Sequence, residues 1–80
     1  MRIPRDVSAA DLVKALGRIG YKVSRQKGSH IRLTSLIPEE HHITIPNHDP
    51  IKIGTLSAIL SDVAMQRHLR KEELITQLFQ

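Results

Sequence analysis

Residues 21–34 read YKVSRQKGSHIRLT, and the periodicity of this stretch decides what kind of protein the chain makes. Tyr21, Val23 and Arg25 alternate with Lys22, Ser24 and Gln26, the period of two that marks a strand. Lys27-Gly28-Ser29 then predicts a tight turn, with Gly28 supplying whatever positive φ the turn demands. The chain resumes alternating, with Ile31 and Leu33 on one face and His30, Arg32 and Thr34 on the other. Two strands and a short turn predict an antiparallel hairpin. Tyr21 shares the inward phase of Val23.

Reading outward, Pro38-Glu39-Glu40 predicts a second turn, and His42 and Thr44 against Ile43 and Ile45 predict a third strand. Pro46 ends it, because proline cannot donate to a ladder. Before the hairpin, Ser8 followed by Asp11 is a near match to a capping box, and Leu12, Val13, Leu16 and Ile19 fall on one helical stripe. Gly17 and Gly20 offer places for that helix to stop. After the third strand, Leu56, Ile59, Leu60 and Val63 form an i, i+3, i+4, i+7 stripe behind Gly54-Thr55, which reads as a tight packing turn with a threonine cap. A last helix is expected through Leu69, Leu74, Ile75, Leu78 and Phe79. The expected fold class is α+β, in the order α-β-β-β-α-α. Helices cover one face of a three-stranded antiparallel meander and leave a polar face open.

Eighty residues suit one small domain, 1–80. The lack of cysteine removes disulfides, thiolate nucleophiles and sulfur-ligated zinc. The first residues carry no apolar signal-like region, and no stretch nears the ~20 apolar residues of a membrane span. A cytoplasmic protein without membrane partners is expected. Twelve Lys and Arg against eight Asp and Glu give +4, and their placement matters more than the sum. Lys14, Arg18, Lys22, Arg25, Lys27 and Arg32 lie between Leu12 and Pro38 without one acid among them. A block of one sign attracts a polyanion, since each neutralised phosphate releases condensed counterions. A solvated basic face is the plainer reading of the same block.

His30 stands at the mouth of the second strand, beside these cations. An unperturbed imidazole is half protonated near neutral pH, so it can take and return a proton in one turnover. RNA carries its own nucleophile, the 2′-OH, and a ribonuclease therefore needs only a base, an acid and cations. His30 is the candidate general base or acid, with His48 as a possible second proton-transfer group. Lys27 and Arg32 are candidate stabilisers of the extra transition-state charge, and Lys22 and Arg25 add phosphate contacts. The competing reading of His30 is a turn residue whose ring bonds a nearby carbonyl. Ser29 is a poor nucleophile candidate, having no G-x-S-x-G elbow. His41 and His42 are neighbours on a strand, point to opposite faces, and do not chelate together easily. No metal or other cofactor is expected. Tyr21 and Phe79 are the only aromatics, which gives base stacking little support.

Three motifs in order, K-G-S-H at 27–30, I-T-I-P-N-H at 43–48 and K-I-G-T-L-S-A-I-L at 52–60, resemble those of the HicA family of toxins. The resemblance runs from about Asp6 to Leu78. It implies a fold similar to the double-stranded RNA-binding domain, and metal-independent endoribonuclease cleavage of mRNA by the histidine of G-S-H, here His30. It further implies that Gly28 and Ser29 position this histidine, that His48 matches the I-P-x-H element, and that a HicB-like antitoxin covers the site. Gly54, Thr55 and Leu56 match G-T-L, read as a helix start that packs on the sheet. The sequence departs from the family pattern at Met65-Gln66-Arg67-His68, which runs into Leu69-Arg70-Lys71 without a Ser or Thr cap. A non-catalytic RNA-binding module of the same shape is the alternative.

Overall fold

The computed structural model describes residues 3–80. Its elements are α1 (Ala9–Gly17), β1 (Lys22–Lys27), β2 (His30–Ser35), β3 (His41–Pro46), α2 (Ile53–Gln66) and α3 (Lys71–Phe79). The strands form one antiparallel sheet in the order β1-β2-β3. Both the α-β-β-β-α-α order and the meander agree with the alternation in the sequence, and the arrangement is consistent with the double-stranded RNA-binding-domain-like fold.

α1 begins where Ser8 and Asp11 satisfy each other. Ser8 Oγ accepts from the Asp11 N–H at 3.0 Å, and Asp11 Oδ2 accepts from the Ser8 N–H at 3.2 Å, so two otherwise orphaned donors are paired. The helix buries Ala9, Leu12, Ala15 and Leu16. α2 starts differently from expectation. Its first residue is Ile53 behind an uncapped Lys52, and Gly54 has open space where a Cβ would stand. There is no tight packing turn and no threonine cap. Burial of Leu56, Ile59, Leu60, Val63 and Ala64 holds this helix, so its start follows from packing rather than from a terminal signal.

The α2–α3 junction turns at His68, whose φ of +56° is the left-handed conformation common just beyond a helix end. Leu69 belongs to this connector and not to α3, yet it still packs against the core. Glu73 accepts from the Arg70 N–H at 3.0 Å, half of a capping box that a guanidinium, having no acceptor, cannot complete. That backbone bond, helped by the Arg70 side chain, holds the Glu73 carboxyl below its ordinary value. Among the described residues no helix is long and apolar enough to cross a membrane.

The core lies between the helices and one sheet face. Leu33 of β2 and Ile45 of β3 meet Leu12, Leu16, Leu56, Leu60, Val63, Leu74 and Leu78, with Tyr21 buried among them. On β2 and β3 the faces alternate as expected. β1 departs. Lys22 faces Thr34 and Val23 faces Leu33, but Arg25, not Ser24, faces Arg32. Ser24 is thus the extra residue of a β-bulge, fixed by its hydroxyl donating to the Arg32 carbonyl and accepting from the Thr34 hydroxyl. One inserted residue sends every later side chain to the other face. Arg25, which unbroken alternation would set in phase with Val23, therefore shares the outer face with Lys22 and Lys27, while Gln26 takes the inner phase opposite Ile31. Val23 keeps the inner phase but is 48% exposed, because the helices do not cover this edge. With Ile19, Leu36 and Ile37 it lines a shallow groove of about 500 Å³.

Candidate nucleic-acid interface and active site

The bulge arranges the outer face as three rungs. Lys27 faces His30, Arg25 faces Arg32, and Lys22 faces Thr34. Across β2 the same rungs continue to Pro46, Thr44 and His42 of β3. His30, Arg32 and the three β1 cations are all exposed. Among the described residues, the side chains of His30, Lys22, Arg25, Lys27 and Arg32 have no hydrogen-bond or ion-pair partner. The cations expected from sequence to meet a phosphate do lie on the same face as His30.

At the His30 end, Gly28 adopts φ +57°, so the turn presents Lys27 and His30 directly opposite each other. The Ser29 carbonyl accepts from the Asn47 N–H at 2.6 Å, which fastens the hairpin tip to the segment leaving β3. That segment is itself held. The His48 N–H donates to the Pro46 carbonyl, and the His48 carbonyl accepts from the Ala9 N–H, both at 2.9 Å. The backbones of Asn47 and His48 together link the hairpin tip to the start of α1, and the His48 imidazole is exposed two residues past Pro46, the residue facing His30.

The other histidines do different work. His42 lies at the far end of the outer face, with Nε2 at 2.8 Å from Glu40 and Nδ1 at 2.8 Å from the Thr34 hydroxyl. His41 points to the opposite face, as the strand period requires. Its Nδ1 is 2.7 Å from the Tyr21 hydroxyl and its Nε2 is 3.2 Å from Asp62. Arg67 closes this cluster, with its guanidinium 5.1 Å over the Tyr21 ring and donating to the Ile19 carbonyl and to Ser35 Oγ. Burial pushes the Tyr21 phenol above its ordinary value, with Arg67 opposing. Sequence reading missed this clasp. Its only sequence signals were the inward phase of His41 and the departure at Arg67 from the expected junction. Among the described residues no three His, Asp or Glu side chains group as a metal site would.

A family model described as the HicA toxin of bacterial toxin–antitoxin systems matches residues 9–65, well over half of the chain. The chain belongs to the HicA toxin family. The match spans all three motifs and stops one residue before the end of α2, so α3 of this HicA chain lies outside it. The departure at Met65-Gln66-Arg67-His68 falls at that limit. Searches of curated proteins and of solved structures each gave no match.

Membership of a toxin family brings an antitoxin partner with it. In this HicA chain the outer sheet face can hold a polyanion by charge, and it offers one exposed imidazole next to a lysine at the hairpin tip. Such an arrangement can move a proton at a phosphodiester while cations stabilise the charge that develops.

Proposed function

We propose that this HicA chain is an endoribonuclease, an mRNA interferase that cleaves without a metal, and that His30 is its proton-transfer residue. The observation that supports this best is His30 itself: an exposed imidazole facing Lys27 across the Gly28-Ser29 turn, at the end of a face lined with unpaired cations. His30 takes the proton from a 2′-OH; O2′ bonds to the adjacent phosphorus; the P–O5′ bond breaks, and O5′ leaves with a proton. His48, which follows the Asn47 bonded to Ser29 at the hairpin tip, is the candidate donor of that last proton. Lys27 and Arg32 stabilise the five-coordinate phosphorus. Gly28 and Ser29 set the turn that positions His30, and Lys22, Arg25, Lys27 and Arg32 bind phosphates. General acid–base help of this kind contributes roughly 10²–10⁴-fold.

An mRNA substrate places the protein's action in the cytoplasm. Its antitoxin is a HicB-like protein, whose acidic surface would mimic RNA over Lys27, His30 and Arg32. Analysis of the product ends tests the chemistry. Cleavage in EDTA should leave a 2′,3′-cyclic phosphate or 3′-phosphate and a 5′-hydroxyl. A 3′-hydroxyl with a 5′-phosphate would refute attack by the 2′-OH.

A further inference from the structure

The middle rung of the outer face needs an explanation that folding does not supply. Arg25 faces Arg32 directly across the β1–β2 pair, and like charges placed opposite one another destabilise a sheet. Among the described residues neither guanidinium has an acid to offset the other. The bulge at Ser24 makes this pairing. Without it Arg25 would point to the other face.

Spacing suggests what sits between them. Successive outward residues on a strand are roughly 7 Å apart, close to the separation of neighbouring phosphates in an extended nucleic-acid strand. Three rungs follow at this interval: Lys27–His30, Arg25–Arg32, and Lys22–Thr34 with His42 beyond. The ladder has different ends. Past the third rung stands Glu40, bonded to His42 at 2.8 Å, and its carboxylate discourages a fourth phosphate. Past the first rung come the Gly28-Ser29 turn and Asn47, fastened to Ser29, followed by His48 and Asp49. Arg5 and Lys52 line another groove, which they share with Asp6.

We infer that the outer face holds three successive phosphates in line, the scissile one at Lys27–His30 and two more at Arg25–Arg32 and Lys22–Thr34, so that the substrate strand is gripped on one side of the cut only. The inference rests on the ribonuclease reading above and adds to it two phosphate subsites and a grip on one side of the cut. The subsites take the sugar–phosphate backbone of an extended single strand. The grip is on the backbone, since the face carries cations, hydroxyls and imidazoles but no Phe, Tyr or Trp on which successive bases would stack.

Chimeric oligonucleotides test this, each DNA except for a single ribonucleotide, so that only one phosphodiester has a neighbouring 2′-OH. One series is extended by three deoxynucleotides upstream of the cut and one downstream, for each of the four ribonucleotides. Extension on one side should raise kcat/KM about tenfold or more, and extension on the other by less than twofold. Lys22→Gln and Arg25→Gln should erase most of the one-sided gain, and circular dichroism would confirm that both variants fold. Equal gains from both sides, or a one-sided gain that survives both substitutions, would overturn the inference. If no RNA or chimera is cut, the ribonuclease reading fails by itself, and binding of all-DNA strands then decides the subsites. Affinity that climbs over the first three phosphates and falls in both variants upholds them; affinity indifferent to Lys22 and Arg25 removes them.

Discussion

His30 occupies its position because of one glycine. Gly28 sits at φ +57°, a region that costs an L-residue roughly 1–2 kcal/mol, and the turn it allows sets Lys27 opposite His30. Gly28→Ala should therefore lower stability by about 1 kcal/mol in urea unfolding, although a Cβ there would meet nothing within 4 Å. Cleavage should fall further than the loss of folded protein accounts for, because the turn also fixes the Lys27–His30 pair. Gly54 is the control. It lies in the first turn of α2 with helical neighbours and open space, so Gly54→Ala should be neutral or stabilise by up to about 1 kcal/mol. Equal effects at the two glycines would contradict this account of the turn.

Between elements, the clasp of Tyr21, His41, Asp62 and Arg67 ties the residue just before β1 to the first residue of β3, to α2 at Asp62 and to its C-cap at Arg67. Tyr21 is 1% exposed, and Tyr21→Phe leaves His41 Nδ1 without its hydroxyl partner, which should cost about 1–3 kcal/mol. The pH dependence has a definite sign. Burial raises the phenol above 10.0, so the stability it contributes is complete below pH 10 and is lost as pH rises through the higher folded value. Urea titrations should show the wild-type advantage over Tyr21→Phe shrinking only above about pH 10. The clasp and the bulge mark where sequence reading stops. The elements were legible because Ser8 with Asp11, the α2 stripe and the β2 and β3 alternation are local signals. The bulge was not, because Ser24 has no glycine-like signature and its extra place appears only in the register with β2. The uncapped start of α2 likewise follows from distant packing. For the site, the alternation of β2 alone assigns His30 and Arg32 to the open face, whereas Arg25, expected as a phosphate contact from the charge block, reaches that face only through the bulge.

For the whole molecule, the sheet separates two tasks, with Leu33 and Ile45 anchoring the helices on one face while the other carries Lys22, Arg25, Lys27 and Arg32. Binding through that face should depend on salt. With three phosphates held, log K against log salt should fall with a slope of about −2 for a short single strand, at about −0.7 per phosphate. The double variant Lys22→Gln/Arg25→Gln should flatten it by about 1, and a slope unchanged in that variant would place the contacts elsewhere. The central claim, that His30 moves a proton rather than merely shaping a turn, is tested most directly by incubating purified wild type and His30→Ala with mRNA in EDTA while measuring RNA affinity for both. The account predicts cleavage by wild type alone, a loss of at least 10²-fold in the variant, and affinities that agree within a few fold. Cleavage by His30→Ala at the wild-type rate, or binding without cleavage by both proteins on several mRNAs, would contradict it; the second result would make the chain a non-catalytic RNA-binding module.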